Sequence, residues 1–332
     1  MDDNNAITWD MVEILINSKV GFRSLLDKSV IQPDYVVFDT SLDIQTTLDF
    51  VRKFVPPEKI VYHTYLDQVI LREQKKIFKP LYSHLGDGIF ILDPSTPKII
   101  MPFLERPFGS TQSRILELVE STKRVSYEIT QEADIIEIKP NFWTKKGLRS
   151  FFKNFVNNSL VSHLTTIETE VQSILDLGIM ENALDLVTVN GLAYNLRFRF
   201  LGNSKTGLIE LLPEYDKGGT SGCYGIRGSS EYFANNANRN LDRVKLFMHN
   251  EMYNPFVEEL GLSLNNREAM YQQGFDACEG VFIEFLYKME ELNVDVPEKL
   301  YFELDLSVLK DNDYQNFRFA LMEGRGVIND ED

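Results

Sequence analysis

Cysteine is nearly absent from this chain, with only Cys223 and Cys278 in 332 residues and the two far apart. A disulfide framework is therefore excluded as a source of stability, and a reducing compartment is the expected setting. Histidine is scarce too. Of His63, His84, His163 and His249, none forms a His-x-x-x-His pair and none joins a paired-cysteine spacing. His63 with Asp67 and His84 with Asp87 have the offsets of ligands on one helical turn, but neither pair completes a metal site, so these are read as surface or core histidines.

Long apolar runs are also missing. No stretch approaches the roughly 18 residues needed to span a bilayer, and Met1-Asp2-Asp3-Asn4-Asn5 has neither the basic region nor the apolar run of a secretory signal. The expected location is intracellular, in the cytoplasm or in a virion, without membrane insertion. Positive charge is in deficit, with 34 Lys and Arg against 50 Asp and Glu, a net of −16. Nucleic acid and anionic membranes carry the same sign, so neither is an expected partner.

What the chain does have is a core and a lopsided charge. Apolar residues make up 43% of it and aromatics 12%, enough for one large domain or two ordinary ones. Residues 251–332 hold 19 acidic residues against 6 basic ones, whereas residues 1–250 hold 31 against 28. The acidity belongs to the last third.

The pattern of elements reads as α/β or α+β, with mixed sheets flanked by helices. Trp9, Val12, Ile14 and Leu15 predict a helix over Ile7 to Ser18. The run Tyr35 to Phe38, then Leu48, Val51 and Phe54 at helical spacing, then Lys59 to Tyr62, predicts a βαβ-like segment. Ile89 to Leu92 and Lys98 to Met101 flank a turn sequence and predict a hairpin. Val125, Tyr127 and Ile129 alternate as the buried side of a strand, with Asp134 to Ile138 as its partner. Helical stripes follow at Leu148 to Phe155 and at Leu164 to Ile174, the latter closed by Gly178. Strands are expected at Leu184 to Val189, Tyr194 to Phe200 and Gly207 to Leu212. In the acidic third, Asn265 caps a long amphipathic helix carrying Phe275, Cys278, Phe282, Phe285, Met289 and Leu292. Leu300, Phe302, Leu304 and Leu306 then mark the buried side of a strand. A boundary near Lys139 to Thr144 would divide an α/β region, 1–140, from an α+β region, 141–332.

Five constellations have the residue types that chemistry or binding needs. The loop Asp216 to Ser230 contains five glycines. Gly218, Gly219, Thr220, Ser221 and Gly222 with Arg227 could turn amides and a guanidinium toward a phosphate, although the spacing is neither a P-loop nor a dinucleotide fingerprint. Cys223 in that loop would need a base to act as a nucleophile, and a thiol without such a role is the expectation. Asp39, Ser41 and Asp43 follow a strand and could hold Mg²⁺. The segment resembles the Asp-x-Ser-x-Ser metal-ion-dependent adhesion motif of von Willebrand A domains, with Asp43 where the second Ser belongs; helix capping is the simpler reading.

Glu303 and Asp305 share the polar side of one strand, about 6.6 Å apart by strand rise. Arg197 and Arg199 alternate in the same way on another, so cross-strand ion pairs are expected if the two strands are neighbours. Finally, Lys145, Lys146, Arg149 and Lys153 form a basic strip among aromatics, complementary to the acidic third, and these four with Glu303 and Asp305 are the candidate interface residues. Complementary surfaces without a complete catalytic spacing favour a non-catalytic assembly or interaction protein. Its expected partner is another protein or another copy of itself. An Asn-, Ile- and Phe-rich composition suits a virus or phage component. The competing expectation is an enzyme or sensor that binds a phosphorylated ligand at Gly218 to Gly228.

Overall fold

The described part of the chain is mostly β. In a computed structural model, the described residues are 6–39, 53–62, 74–80, 89–93, 98–102, 127–132, 135–140, 177–189, 191–212, 222–227, 243–244, 264–310 and 316–328. They open with α1 (Trp9–Ile16) and α2 (Gly21–Leu25). Eight strands follow: β1 (Tyr35–Asp39), β2 (Ile60–Tyr62), β3 (Lys76–Pro80), β4 (Phe90–Asp93), β5 (Lys98–Pro102), β6 (Tyr127–Glu132), β7 (Ile135–Pro140) and β8 (Leu177–Asn182). The remainder is β9 (Thr188–Val189), β10 (Leu192–Asn203), β11 (Ile209–Leu211), β12 (Cys223–Arg227), β13 (Arg243–Val244), α3 (Leu264–Glu291), β14 (Lys299–Val308) and β15 (Phe319–Ile328).

These elements form two compact units. The first takes Met1–Pro33, Leu184–Asn235 and Asn240–Asp332, and the second takes Asp34–Ala183 and Asn236–Arg239. Residues 140 and 141, where the sequence pattern places a boundary, both fall inside the second unit.

The α/β or α+β expectation, with mixed sheets flanked by helices, is overturned by the strand pairings. The second unit is an eight-stranded sheet of order β2-β1-β8-β3-β4-β5-β7-β6, in which β1 and β2 are parallel and the other neighbours are antiparallel. The strand that decides this is β8. Gly178 was expected to end a helix, but it lies inside β8, opposite Phe38 on one side and Pro80 on the other. A Cβ there would stand 2.7 Å from the Phe78 ring, so the position serves close packing rather than a helix terminus. Phe78 stacks on Phe90 at 4.7 Å between centroids, and all four β4 residues are buried, so both sides of that strand are covered. The β6–β7 pairing has the expected partners, but β6 is an edge strand and Ile129 is exposed. The segments 148–155 and 164–174 lie outside the described residues.

The first unit is a seven-stranded sheet with the path β13-β12-β10-β14-β15, and β9 and β11 also pair with β10. Alternation along β10 and the first half of β14 buries Leu196, Phe198, Phe200, Leu300, Phe302 and Leu304 on one side, and from Leu304 to Val308 every residue of β14 is buried, Leu306 among them. α3 lies on that side. Its buried line is Met270, Gly274, Cys278, Phe282, Phe285 and Met289, with Val281 beside it, while Phe275 and Leu292 are only half-buried. Asn265 is inside the helix rather than its cap.

Glycine sets how closely helix and sheet approach: a Cβ on Gly202 would meet the Phe282 ring at 2.4 Å, and one on Gly274 would meet Phe198 at 2.6 Å. At the centre, Phe302 stacks on Phe200 at 5.5 Å and 7°, and takes Phe282 and Phe285 edge-on at 5.4 and 5.3 Å.

The N-terminal segment completes this core. Thr8 caps α1, which buries Val12, Leu15 and Ile16 and leaves Ile14 exposed. Phe22 of α2 reaches Phe302 and Phe285, and it occupies the space a side chain on Gly324 would need. A carboxylate fastens the segment down. Glu284 accepts the amides of Asp27 at 2.6 Å, Lys28 at 3.0 Å and Ser29 at 2.8 Å.

Candidate functional site

Three places in the first unit combine unusual chemistry with defined geometry. The first is the polar side of β10 and β14. The register sets Arg197 against Asp305 and Arg199 against Glu303, so the alternation that buries aromatics on one side delivers charges to the other. Arg197 grips Asp305 with two parallel bonds, Nε to Oδ1 at 2.6 Å and Nη2 to Oδ2 at 2.8 Å, and reaches Glu303 Oε1 with Nη1 at 2.8 Å. Arg199 donates from Nε to Tyr301 Oη at 2.5 Å and lies 3.5 Å from Glu303 Oε2. Ser307 extends the ladder by donating to Asn195 Oδ1 at 2.5 Å. Both carboxylates read as candidate docking groups are thus engaged by arginines of their own sheet, and Asp305 is buried. Two-pronged charge-assisted bonds of this kind fix strand register.

The second place is a cluster of titratable groups beneath α3. Cys223 and Cys278 are both buried. Burial pushes each thiol up, which favours the protonated sulfur over the thiolate that a nucleophile needs. Tyr194 and Tyr271 are raised as well, first by burial and then by the neighbouring Cys223. Tyr271 packs on Phe198 at 6.0 Å. Neutral groups packed in this way do core work.

The third place is a groove where α3 ends. Its volume is about 750 Å³, and its lining includes Lys205, Thr206, Ile283, Tyr287, Glu290 and Asp295. Local chemistry holds both walls. On one side, Asn203 Oδ1 accepts the amides of Lys205 at 2.9 Å and Thr206 at 3.1 Å, an Asx turn between β10 and β11. Gly207 closes that turn at φ +72°, the left-handed region that glycine enters without strain. On the other side, Asn293 at φ 53° ends α3. Its amide bonds Glu290 O at 3.0 Å and the Val294 amide bonds Met289 O at 3.0 Å, the two bonds of a Schellman cap.

The groove is also where apolar surface and acid come together. Five large apolar side chains are exposed among the described residues. Ile283 and Tyr287 line the groove, and Leu208 follows directly on its wall residue Gly207. Lys205 pairs with Glu298 and Lys288 pairs with Glu291, and Glu290 and Asp295 add two further carboxylates. Ile283 and Tyr287 stand one turn apart and off the buried line. That offset was the signal in the sequence that could have revealed the patch.

The other candidates fall as follows. Gly218, Gly219, Thr220 and Ser221 lie outside the described residues. Gly222 and Arg227 do not belong to a free loop, because Cys223–Arg227 is a strand paired antiparallel with β10, from Phe198↔Cys223 to Tyr194↔Arg227. Gly222 is buried, and a Cβ there would meet the Leu212 carbonyl oxygen at 2.5 Å, so this glycine permits two chain segments to touch. The described half of the expected phosphate cradle has its backbone committed to a sheet. Asp39 ends β1, while Ser41 and Asp43 lie outside the described residues. Lys145, Lys146, Arg149, Lys153 and all four histidines are outside them too. Among the described residues no cluster of three metal-ligating side chains occurs, and no helix is long and apolar enough to cross a membrane. No family model, curated protein or solved structure matches this chain.

Proposed function

We propose that this protein is a non-catalytic assembly or interaction protein that docks a basic partner through the acidic solvent face of its C-terminal third. One observation carries the reading: the outer face of α3 presents Glu268, Asp276, Glu290 and Glu291 together with exposed Ile283 and Tyr287. Acid alone on a helix is ordinary solvation. Acid around exposed apolar anchors has the make-up of an interface, in which the apolar residues supply affinity and the charge supplies orientation and partner choice. A virus or phage component is the setting this reading favours.

Sedimentation velocity at low and high salt, combined with affinity capture from the native source, tests it. The expected result is an assembly, with itself or with a basic protein, that weakens as salt rises. A single monomeric species at every salt concentration with no retained partner overturns the reading.

A further inference from the structure

We propose that the groove between the β10–β11 turn and the end of α3 is the specific docking site, and that its occupant is a short segment of a partner protein carrying lysine or arginine around one aliphatic or aromatic anchor. This inference rests on the reading above and narrows it to one place and one partner chemistry. The shape comes first. A groove of about 750 Å³ between a closed Asx turn and a Schellman-capped helix end has pre-formed walls, so little ordering is needed to fill it.

Its apolar component is concentrated: Ile283 and Tyr287 stand exposed on the wall, with Leu208 at its edge, whereas the other exposed large apolar residues among the described ones, Ile14 and Ile129, stand singly elsewhere. An anchor side chain that covers Tyr287 removes that surface from water. Charge then selects the flanks. The lysine of the lining, Lys205, is paired with Glu298, and the lining carboxylates Glu290 and Asp295 remain to attract cations. An acidic segment or a nucleic-acid strand would meet like charge there.

The test uses the full-length protein as bait for a displayed library of short random peptides, followed by titration of synthetic copies of the enriched sequences. The expected peptides carry two or more lysines or arginines around a Leu, Ile, Phe or Trp. Tyr287→Ser and the pair Glu290→Lys with Asp295→Lys should each weaken their binding by about tenfold or more, the loss of one interface anchor. Glu268→Lys with Asp276→Lys, higher on the same helix, should change it less than about twofold, the scale of exposed charges. All of these positions are solvent-facing or groove-lining, and an unchanged melting temperature verifies that the variants fold.

Binding of basic peptides that responds to Glu268 and Asp276 but not to the groove variants overturns the groove while leaving the acidic docking face in place. Enrichment of acidic or uncharged peptides, or no enrichment at all, overturns both.

Discussion

The two sides of the β10–β14 pair are made by alternate residues of the same two strands, yet they are stabilised by opposite means. On one side Phe200, Phe302, Leu196 and Leu306 pack under α3 with no charge among them. On the other, Arg197, Arg199, Glu303 and Asp305 form a ladder in which each guanidinium reaches carboxylate or phenol oxygens. The contrast separates amount from specificity. Apolar burial supplies most of the stabilisation and forbids a one-residue slip, which would turn every Phe outward, but it tolerates a two-residue slip, after which apolar side chains still face apolar ones. The ladder supplies less, but a two-residue slip would set one of the two arginines opposite Tyr301 or Ser307 instead of a carboxylate.

The strongest way to break this comparison is at the centre of the apolar side. Phe302→Ala should cost about 3–5 kcal/mol, read as a lower denaturant midpoint. Arg197→Ala should follow at about 2–3 kcal/mol, because it leaves Asp305 buried without its two-pronged partner. Replacing both, Arg197→Met with Asp305→Leu, should recover a good part of that loss. If the double variant falls as far as the single one, the ladder contributes stability as well as register.

Gly202→Ala should cost about 1–3 kcal/mol by pushing on Phe282, and a thermal melt with no loss would show that α3 can shift to make room.

Much of this contrast was legible in the sequence, because it is local. Alternation along Tyr194 to Phe200 and Leu300 to Leu306 reports which residues share a side, and strand geometry makes that reading secure. The matched charges gave the ion pairs to expect if the two strands are neighbours, and the fold makes them so. The fold class was less legible. The run Tyr35 to Tyr62 carries a βαβ-like pattern, and β1 and β2 are indeed parallel, but β8 enters from far along the chain and makes the rest of that sheet antiparallel. A short strand that begins around Gly178 has no periodic signature, since its glycine is there for Phe78. β12 was hidden in the same way inside a glycine-rich stretch. The groove was missed because its walls are 80 or so residues apart, and only closure of the fold brings an Asx turn beside a helix end.

A smaller effect concerns the carboxylate that ties the N-terminal segment to α3. Partial burial works against Glu284's charge, but the Ser29 side chain and the amides of Asp27, Ser29 and Lys28 outweigh it and hold its carboxyl below the ordinary range. A carboxyl lowered in the folded state adds stability above its unfolded value, near pH 4.3, and that contribution is lost as pH falls through the folded value. Glu284→Gln should therefore lower the melting temperature at neutral pH, and the gap from the unaltered protein should close on acidification below about pH 4. A gap that does not change with pH would assign the effect to shape alone. The smallest change expected is Asn293→Gly, which should stabilise by under about 1 kcal/mol, since a glycine enters the left-handed region of the α3 cap without side-chain strain.

The sequence by itself determined the polarity of each element: which residues of β10 and β14 turn inward, where acid accumulates, and that two isolated cysteines do not staple the fold. Those properties follow from the period of the backbone and from composition, which need no partner. Tertiary structure alone decided which strands are neighbours, that glycines at 178, 202 and 274 mark close approach, and that Ile283, Tyr287 and Leu208 gather at one groove. These are contacts between segments far apart along the chain, set by how whole surfaces fit, and no local pattern encodes them.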